Sequence, residues 1–189
     1  MNQPHATLGS RQSRAGQRNI GLTAIEMLCS ISVTFTALGA TVPSMREFML
    51  SQRLQAAAAE LETEVQLARS LAMVRAQTVR LAIQPMDQGS CTMIHTGPKD
   101  ACRCAAEGPA VCLDDAEVLH LSRHDSRSGV RHLSTNVSLA FSATRGTVTP
   151  TATLKLSDST GRTLHQVVNV MGRTRTCSAQ AALPGYKAC

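Results

Sequence analysis

Glu26 is the one charged residue in the 21-residue run Leu22–Val42. A carboxylate at the centre of a bilayer costs roughly 2.5–3.5 kcal/mol on insertion scales. The chemistry open to it there is ion pairing, so its partner matters. Arg173 and Arg175, two residues apart near the C-terminal end, form the second notable pair. Read as a strand, they put both guanidiniums on one side, at a spacing that suits phosphates about 7 Å apart. Cysteines are the third reactive set. Cys29 lies in the hydrophobic run, Cys91, Cys102, Cys104 and Cys112 fall in a Gly/Pro-bearing stretch, and Cys177 and Cys189 bracket the tail. The six histidines are scattered, and none stands beside a Ser or Cys partner. His120, His124 and His132 lie near Glu117 and Asp125 and read as surface histidines of a polar loop. The sequence has no nucleophile elbow, Walker loop, dinucleotide fingerprint or HExxH. The expectation is a non-enzyme with no catalytic residues, no cofactor and no metal.

The elements that position these residues begin with a basic leader. Residues 1–21 hold Arg11, Arg14 and Arg18 and no acid, the composition of a targeting segment. The run that follows would span roughly 30 Å as a helix, one hydrocarbon core. Its Ser and Thr hydroxyls can bond back to carbonyls of the preceding turn. An ordinary secretory signal would be cut after Ala37-Leu38-Gly39, but its apolar region would then contain Glu26. A cut directly after Gly21 keeps the helix and leaves a free amine on Leu22. Glu26 is then the fifth residue and can pair with the terminal amine of a neighbouring helix.

Residues 44–76 carry a helical period: Met45, Phe48, Met49, Leu54, Leu61, Val65, Ala68 and Leu71–Ala72 recur at threes, fours and sevens. No Gly or Pro interrupts them, which predicts a helix of some 50 residues with a bend at Pro43. After Ala76 the period becomes two. Strands are predicted over 78–84, 91–95, 118–121, 137–142, 152–157, 163–171 and 173–177, with a turn at Asp158–Gly161. The segments 96–116 and 123–131 read as loops. The fold class is α+β, a long N-terminal helix followed by an antiparallel β domain. The domain divisions are a leader over 1–21, a transmembrane or filament-core helix over 22–43, an amphipathic half over 44–76 and a β domain over 77–189.

Disulfides are favoured over metal, because the cysteines lack the paired spacing of zinc sites. Cys177 with Cys189 would pin the tail, a closure worth about 3 kcal/mol in the chain-entropy model. Cys102 and Cys104 are poor partners for each other, which leaves two pairings with Cys91 and Cys112. The net charge is +6, unevenly placed. Residues 141–189 carry six basic side chains against Asp158 alone, a balance that suits a polyanion. Arg162, Lys155 and Lys187 could extend the side that bears Arg173 and Arg175. The near-absence of aromatics, with no Trp and one Tyr, argues against stacking on single strands.

Gly21, Leu22 and Glu26 after a basic leader, then Pro43, resemble the type IV prepilin pattern, with Leu22 in place of the usual Phe. Phe141 to Gly146, Leu154–Leu156, Gly161-Arg162, Val167-Val168 and Gly172-Arg173-Thr174-Arg175 resemble the FimT/GspH group of minor pilins and pseudopilins. Gln66–Ser70 and Arg53-Leu54 in the helix add to that likeness. The resemblance implies cleavage by a prepilin peptidase after Gly21, methylation of Leu22, and assembly through Glu26 with other pilins. It implies a single-pass stage in the bacterial inner membrane with a periplasmic β domain, then a place in the filament. Minor pilins of FimT type are implicated in capturing double-stranded DNA for natural transformation through the Gly-Arg-x-Arg region. The alternative is a minor pseudopilin (H type) of a type II secretion system. A third possibility, of another class, is a released periplasmic zinc or redox protein using the cysteine loop.

Overall fold

A computed structural model describes residues 23–134, 137–180 and 183–189, with the backbone alone for 40–44. The leader, Gly21, Leu22 and the side chain of Pro43 lie outside the described residues. The chain divides into two compact units, Met1–Val42 and Pro43–Cys189. One helical element, α1 (Ala24–Val74), contributes to each.

In the first unit, Thr23 precedes the helix and its hydroxyl accepts from the Glu26 amide at 3.4 Å. That is the start of a capping arrangement, and it puts the Glu26 carboxylate in the first turn, where the helix dipole favours an anion. Ser30, Ser32, Thr34 and Thr36 donate to carbonyls four residues back. These hydroxyls are satisfied within the helix, yet they dilute its hydropathy. Among the described residues no helix is long and apolar enough to cross a membrane. Ile25, Leu28, Val33 and Phe35 are each 65–71% exposed.

In the second unit, Leu54, Ala58, Leu61, Val65, Ala68 and Ala72 follow one another at spacings of four and three. All six are essentially inaccessible to solvent. This stripe is the floor of the core. Below Val74 the helix ends with Ala76 in the left-handed region (φ 50°), the Ala76 amide on the Met73 carbonyl and the Gln77 amide on the Ala72 carbonyl. This is a Schellman cap with alanine where glycine is usual.

Among the described residues eleven strands follow. β1 (Val79–Met86), β2 (Gly89–Thr96), β5 (Val118–Asp125), β7 (Val137–Phe141) and β8 (Val148–Thr149) form one sheet in the order β5-β2-β1-β7-β8. β6 (Val130–His132), β9 (Ala152–Asp158), β10 (Thr163–Val168) and β11 (Thr174–Ser178) form a second, in the order β11-β10-β9-β6. The pairings between strands are antiparallel. Leu81, Ile83, Ile94, Leu139 and Phe141 from the first sheet and Leu154, Leu156, Leu164 and Val168 from the second close on the helix stripe in one cluster.

Two segments read as loops are partly ordered into strands. The 96–116 loop carries a hairpin, β3 (Cys102–Arg103) against β4 (Val111–Cys112). Cys91 is bonded to Cys104 and Cys102 to Cys112, and these sulfurs pack with Ala82 and Met93 as a second, smaller cluster. The disulfides thus take the place of apolar side chains beside β1 and β2. The predicted strand 118–121 extends to Asp125. Its polar residues pair in register with β2, which a period-two hydrophobic reading cannot see. A third disulfide joins Cys177 to Cys189 and brings Ala188 beside Ser178.

Leu61→Ala should cost about 2–5 kcal/mol, because the side chain is fully buried in the main cluster. Glu62→Ala, exposed on the same turn, should be near neutral. Thermal unfolding of the two variants decides; equal effects would refute this placement of the core.

Candidate functional site

The outward residues of the four-stranded sheet follow from register. On β9 they are Thr153, Lys155 and Ser157, with Leu154, Leu156 and Asp158 turned inward. Lys155 stands opposite His165, and His165 opposite Cys177; Thr153 stands opposite Val167, and Val167 opposite Arg175. Arg131 on β6 is opposite Ser157. Lys155, Arg175 and Arg131 are all exposed. With strands about 4.8 Å apart and 3.4 Å per residue, these cations lie on a diagonal, with Cα separations of roughly 8 and 12 Å. Among the described residues no Asp or Glu side chain stands on the outward face of these strands. Burial first, and then the adjacent Lys155 cation, pull His165 below its ordinary value, which favours the neutral ring. Sequence reasoning missed Arg131, which lay in a predicted loop. Only the β6–β9 register brings it to this face.

The other sequence-selected cations stand differently. Arg173 is not in the strand. It closes a tight turn in which Asn169 Oδ1 accepts from the Met171 and Arg173 amides, and the Asn169 amide donates to the Arg173 carbonyl. Its side chain is exposed, but strand alternation does not pair it with Arg175. Arg162 is engaged. Its Nε donates to Asp158 Oδ2 at 2.7 Å and its Nη2 to the Glu47 carbonyl at 3.2 Å. Lys187 lies on the disulfide-held tail, exposed, with its carbonyl accepting from the Ser178 amide.

The glycines of the motifs have a steric reason. Gly146 (φ 60°) and Gly172 (φ 72°) both face Arg69 of the helix. A Cβ on Gly146 would come within 2.9 Å of the Arg69 guanidine stem, and one on Gly172 within 3.1 Å of it. Gln66 donates to the Gly172 carbonyl at 3.2 Å. The Gln66-Leu67-Ala68-Arg69 segment and the Gly-Arg-x-Arg segment are therefore two sides of one packing contact.

The histidines are not a surface loop. His120 and His124 stand on β5, and His132 is buried on β6, with its ring stacked 4.4 Å from His124. Their acidic neighbours are Glu64 and Glu60 of the helix, at 3.8 Å and 3.9 Å, rather than Glu117 and Asp125. The i, i+4 spacing of Glu60 and Glu64 was visible in the sequence. Nothing local tied them to residues some 60 positions later.

Residues 57–172, more than half of the chain, match the family described as Type II transport protein GspH. The chain belongs to the GspH family. The match covers the last third of the helix, the cysteine hairpin and the strands to Gly172; it stops short of Arg173 and Arg175 and leaves out Glu26. Two crystal structures of the type IV minor pilin FimU from Pseudomonas aeruginosa (strain PAO1) are similar to this GspH-family chain. One is 22% identical, covers 68% of this chain and 90% of that one, and has a TM-score of 0.45. The other is 22% identical, with coverages of 65% and 91% and a TM-score of 0.42. No curated protein gives a significant match.

Asp158 holds the β9–β10 turn. Burial alone would raise its carboxyl, but bonds from Thr160 and Arg162 outweigh that and hold it below the usual carboxylate range. The stabilisation is therefore full above the unfolded value of about 3.9 and is lost as pH falls through the folded one. Asp158→Asn should melt below the wild type at neutral pH, and the gap should close under acid. A gap independent of pH would refute this role.

Proposed function

We propose that the chain is a minor type IV pilin of FimT type that packs into the filament through its N-terminal helix and holds double-stranded DNA on the outer face of its β domain. Prepilin peptidase cuts after Gly21, and the new amine on Leu22 is methylated. The subunit waits in the inner membrane with its β domain in the periplasm. Glu26 pairs with the terminal amine of a neighbouring subunit, and the helix region around Pro43 lies within the filament. The apolar side chains of the first unit support this reading. Ile25, Leu28, Val33 and Phe35 lie exposed around the helix and need either lipid or other helices to cover them.

The observation that carries the DNA reading is an outward face on which the described strands place no Asp or Glu, with Arg131, Lys155 and Arg175 on its diagonal. Arg173 and Lys187 stand exposed nearby in sequence, while Arg162 acts in the fold. Contacts of this kind go to phosphates, so binding is independent of sequence and sensitive to salt. A second reading, a minor pseudopilin of a type II secretion system, is favoured by the description of the matching family. In that reading the same face meets other pseudopilins or exported proteins.

Mass spectrometry of the chain recovered from the native host should find it beginning at a methylated Leu22, and Glu26→Ala should remove it from sheared filaments while leaving its cellular level unchanged. A mature chain beginning at Ala40 would overturn the pilin reading. Gel shifts with random duplex DNA should weaken with salt, at a log–log slope of about −2.7 if three phosphates are neutralised. Lys155→Ala with Arg175→Ala should flatten that slope to about −0.9, and Arg103→Ala on the cysteine hairpin should leave it unchanged. No binding at low salt would leave the pseudopilin reading standing.

A further inference from the structure

The helix and the edge strand β5 bring ligand-type side chains to one place. Glu60 and Glu64 are one turn apart on α1. His120, Ser122 and His124 alternate along the side of β5 that meets that turn. One ligand atom each from Glu60, Glu64 and His124 all lie within 4.8 Å of one another. Glu64 is only 4% exposed. Its Oε1 accepts from the Ser122 hydroxyl, while its Oε2 is buried with no hydrogen-bond partner. The nearby Thr92 hydroxyl is not in hydrogen-bonding geometry with it and is itself unpartnered. A buried carboxylate oxygen left unpaired is costly, and the helix stripe would accept an apolar residue at this position. The orphaned oxygen therefore points to a missing cation.

We propose that Glu60, Glu64 and His124 bind a divalent transition metal ion, zinc first, which pins the helix to β5. This inference does not rest on the filament or DNA readings. Two carboxylates balance the charge of the ion, and an imidazole nitrogen selects a borderline metal over calcium, which needs six to eight oxygens. Zinc bonds of about 2.0–2.2 Å place tetrahedral ligand atoms roughly 3.4 Å apart, so small rotamer changes close the set. A soft-metal thiolate site is excluded here, because all six cysteines of the β domain are bonded in pairs. His120, 3.8 Å from Glu64 on the other side, or a water completes the coordination. The His132 ring stacks on His124 and restrains its plane. An open cavity of about 250 Å³ reaches Glu60, His124 and His132 from solvent. Arg53 and Arg123, which also line it, are tied to the Ser128 and Gly108 carbonyls.

The test uses the full-length chain in mild detergent, oxidised, stripped with chelator and titrated with zinc chloride. Calorimetry should give a single saturable zinc per chain, and the melting temperature should rise with zinc and fall back with EDTA. Cobalt(II) in place of zinc should show the visible absorption of a tetrahedral site. His124→Gln and Glu64→Gln should each weaken zinc at least about tenfold, and His165→Gln should not. If Glu64→Gln fails to fold by circular dichroism, Glu60→Gln takes its place. No saturable binding, or binding that persists in His124→Gln together with the glutamate variant, overturns the site.

Discussion

Six side chains on one face of the helix, from Leu54 to Ala72, set the terms for the rest of the β domain. Three alanines stand among the leucines and the valine there, so two sheets can approach a single helix closely and close over it. Burying a leucine fully is worth about 1.5–3 kcal/mol, and Leu54 and Leu61 are both at zero exposure. The strands have to present Leu81, Ile83, Leu139, Phe141, Leu154, Leu156 and Leu164 to that stripe. Their alternate residues are thereby committed to the outside, which is why Lys155 and Arg175 face solvent. The basic face follows from where the core lies.

The same packing explains the polar residues that the core has to accommodate. Gln166 points inward from β10, where its amide donates to the Ala58 carbonyl of the helix. Arg69 lies against two glycines that have no side chain to displace it. Glu64 sits at the margin of the stripe, where the helix meets the polar edge strand β5. A carboxylate in that position, with one oxygen bonded and one unsatisfied, departs from ordinary core composition. On the face of β1 and β2 away from the main core, two disulfides pack with Ala82, Met93, Met86 and Leu121. A covalent clamp replaces burial where aromatics are scarce.

Membership in the GspH family accounts for the middle of the chain, and the two ends lie outside the match. The described helix residues of the N-terminal unit expose apolar side chains, while Ser30, Ser32, Thr34 and Thr36 bond back to the helix's own carbonyls. The C-terminal end is a short strand held on its outer side by the Cys177–Cys189 bond. Between them the β domain supplies rigidity, and it turns register into surface chemistry.

Much of this was legible in the sequence. The helix, the change of period after Ala76, the Asp158–Gly161 turn and the late hairpins are local patterns with local causes, and each element was readable from hydrophobic spacing and turn residues. Strand β5 was read too short because its polar residues are paired by β2 rather than by their own periodicity. Arg162 was read as a surface cation, because sequence shows charge but not the buried Asp158 that claims it. Arg131 was missed, because only the β6–β9 register brings it beside Lys155. The sequence by itself determined the composition of the core, the class of fold and the family resemblance, since all three rest on short-range periodicity and motif spacing. The tertiary structure alone decided the cysteine pairing, which cations share a face, and the meeting of Glu60 and Glu64 with His124. Each of those depends on residues far apart in the chain, brought together by burial that no local pattern records.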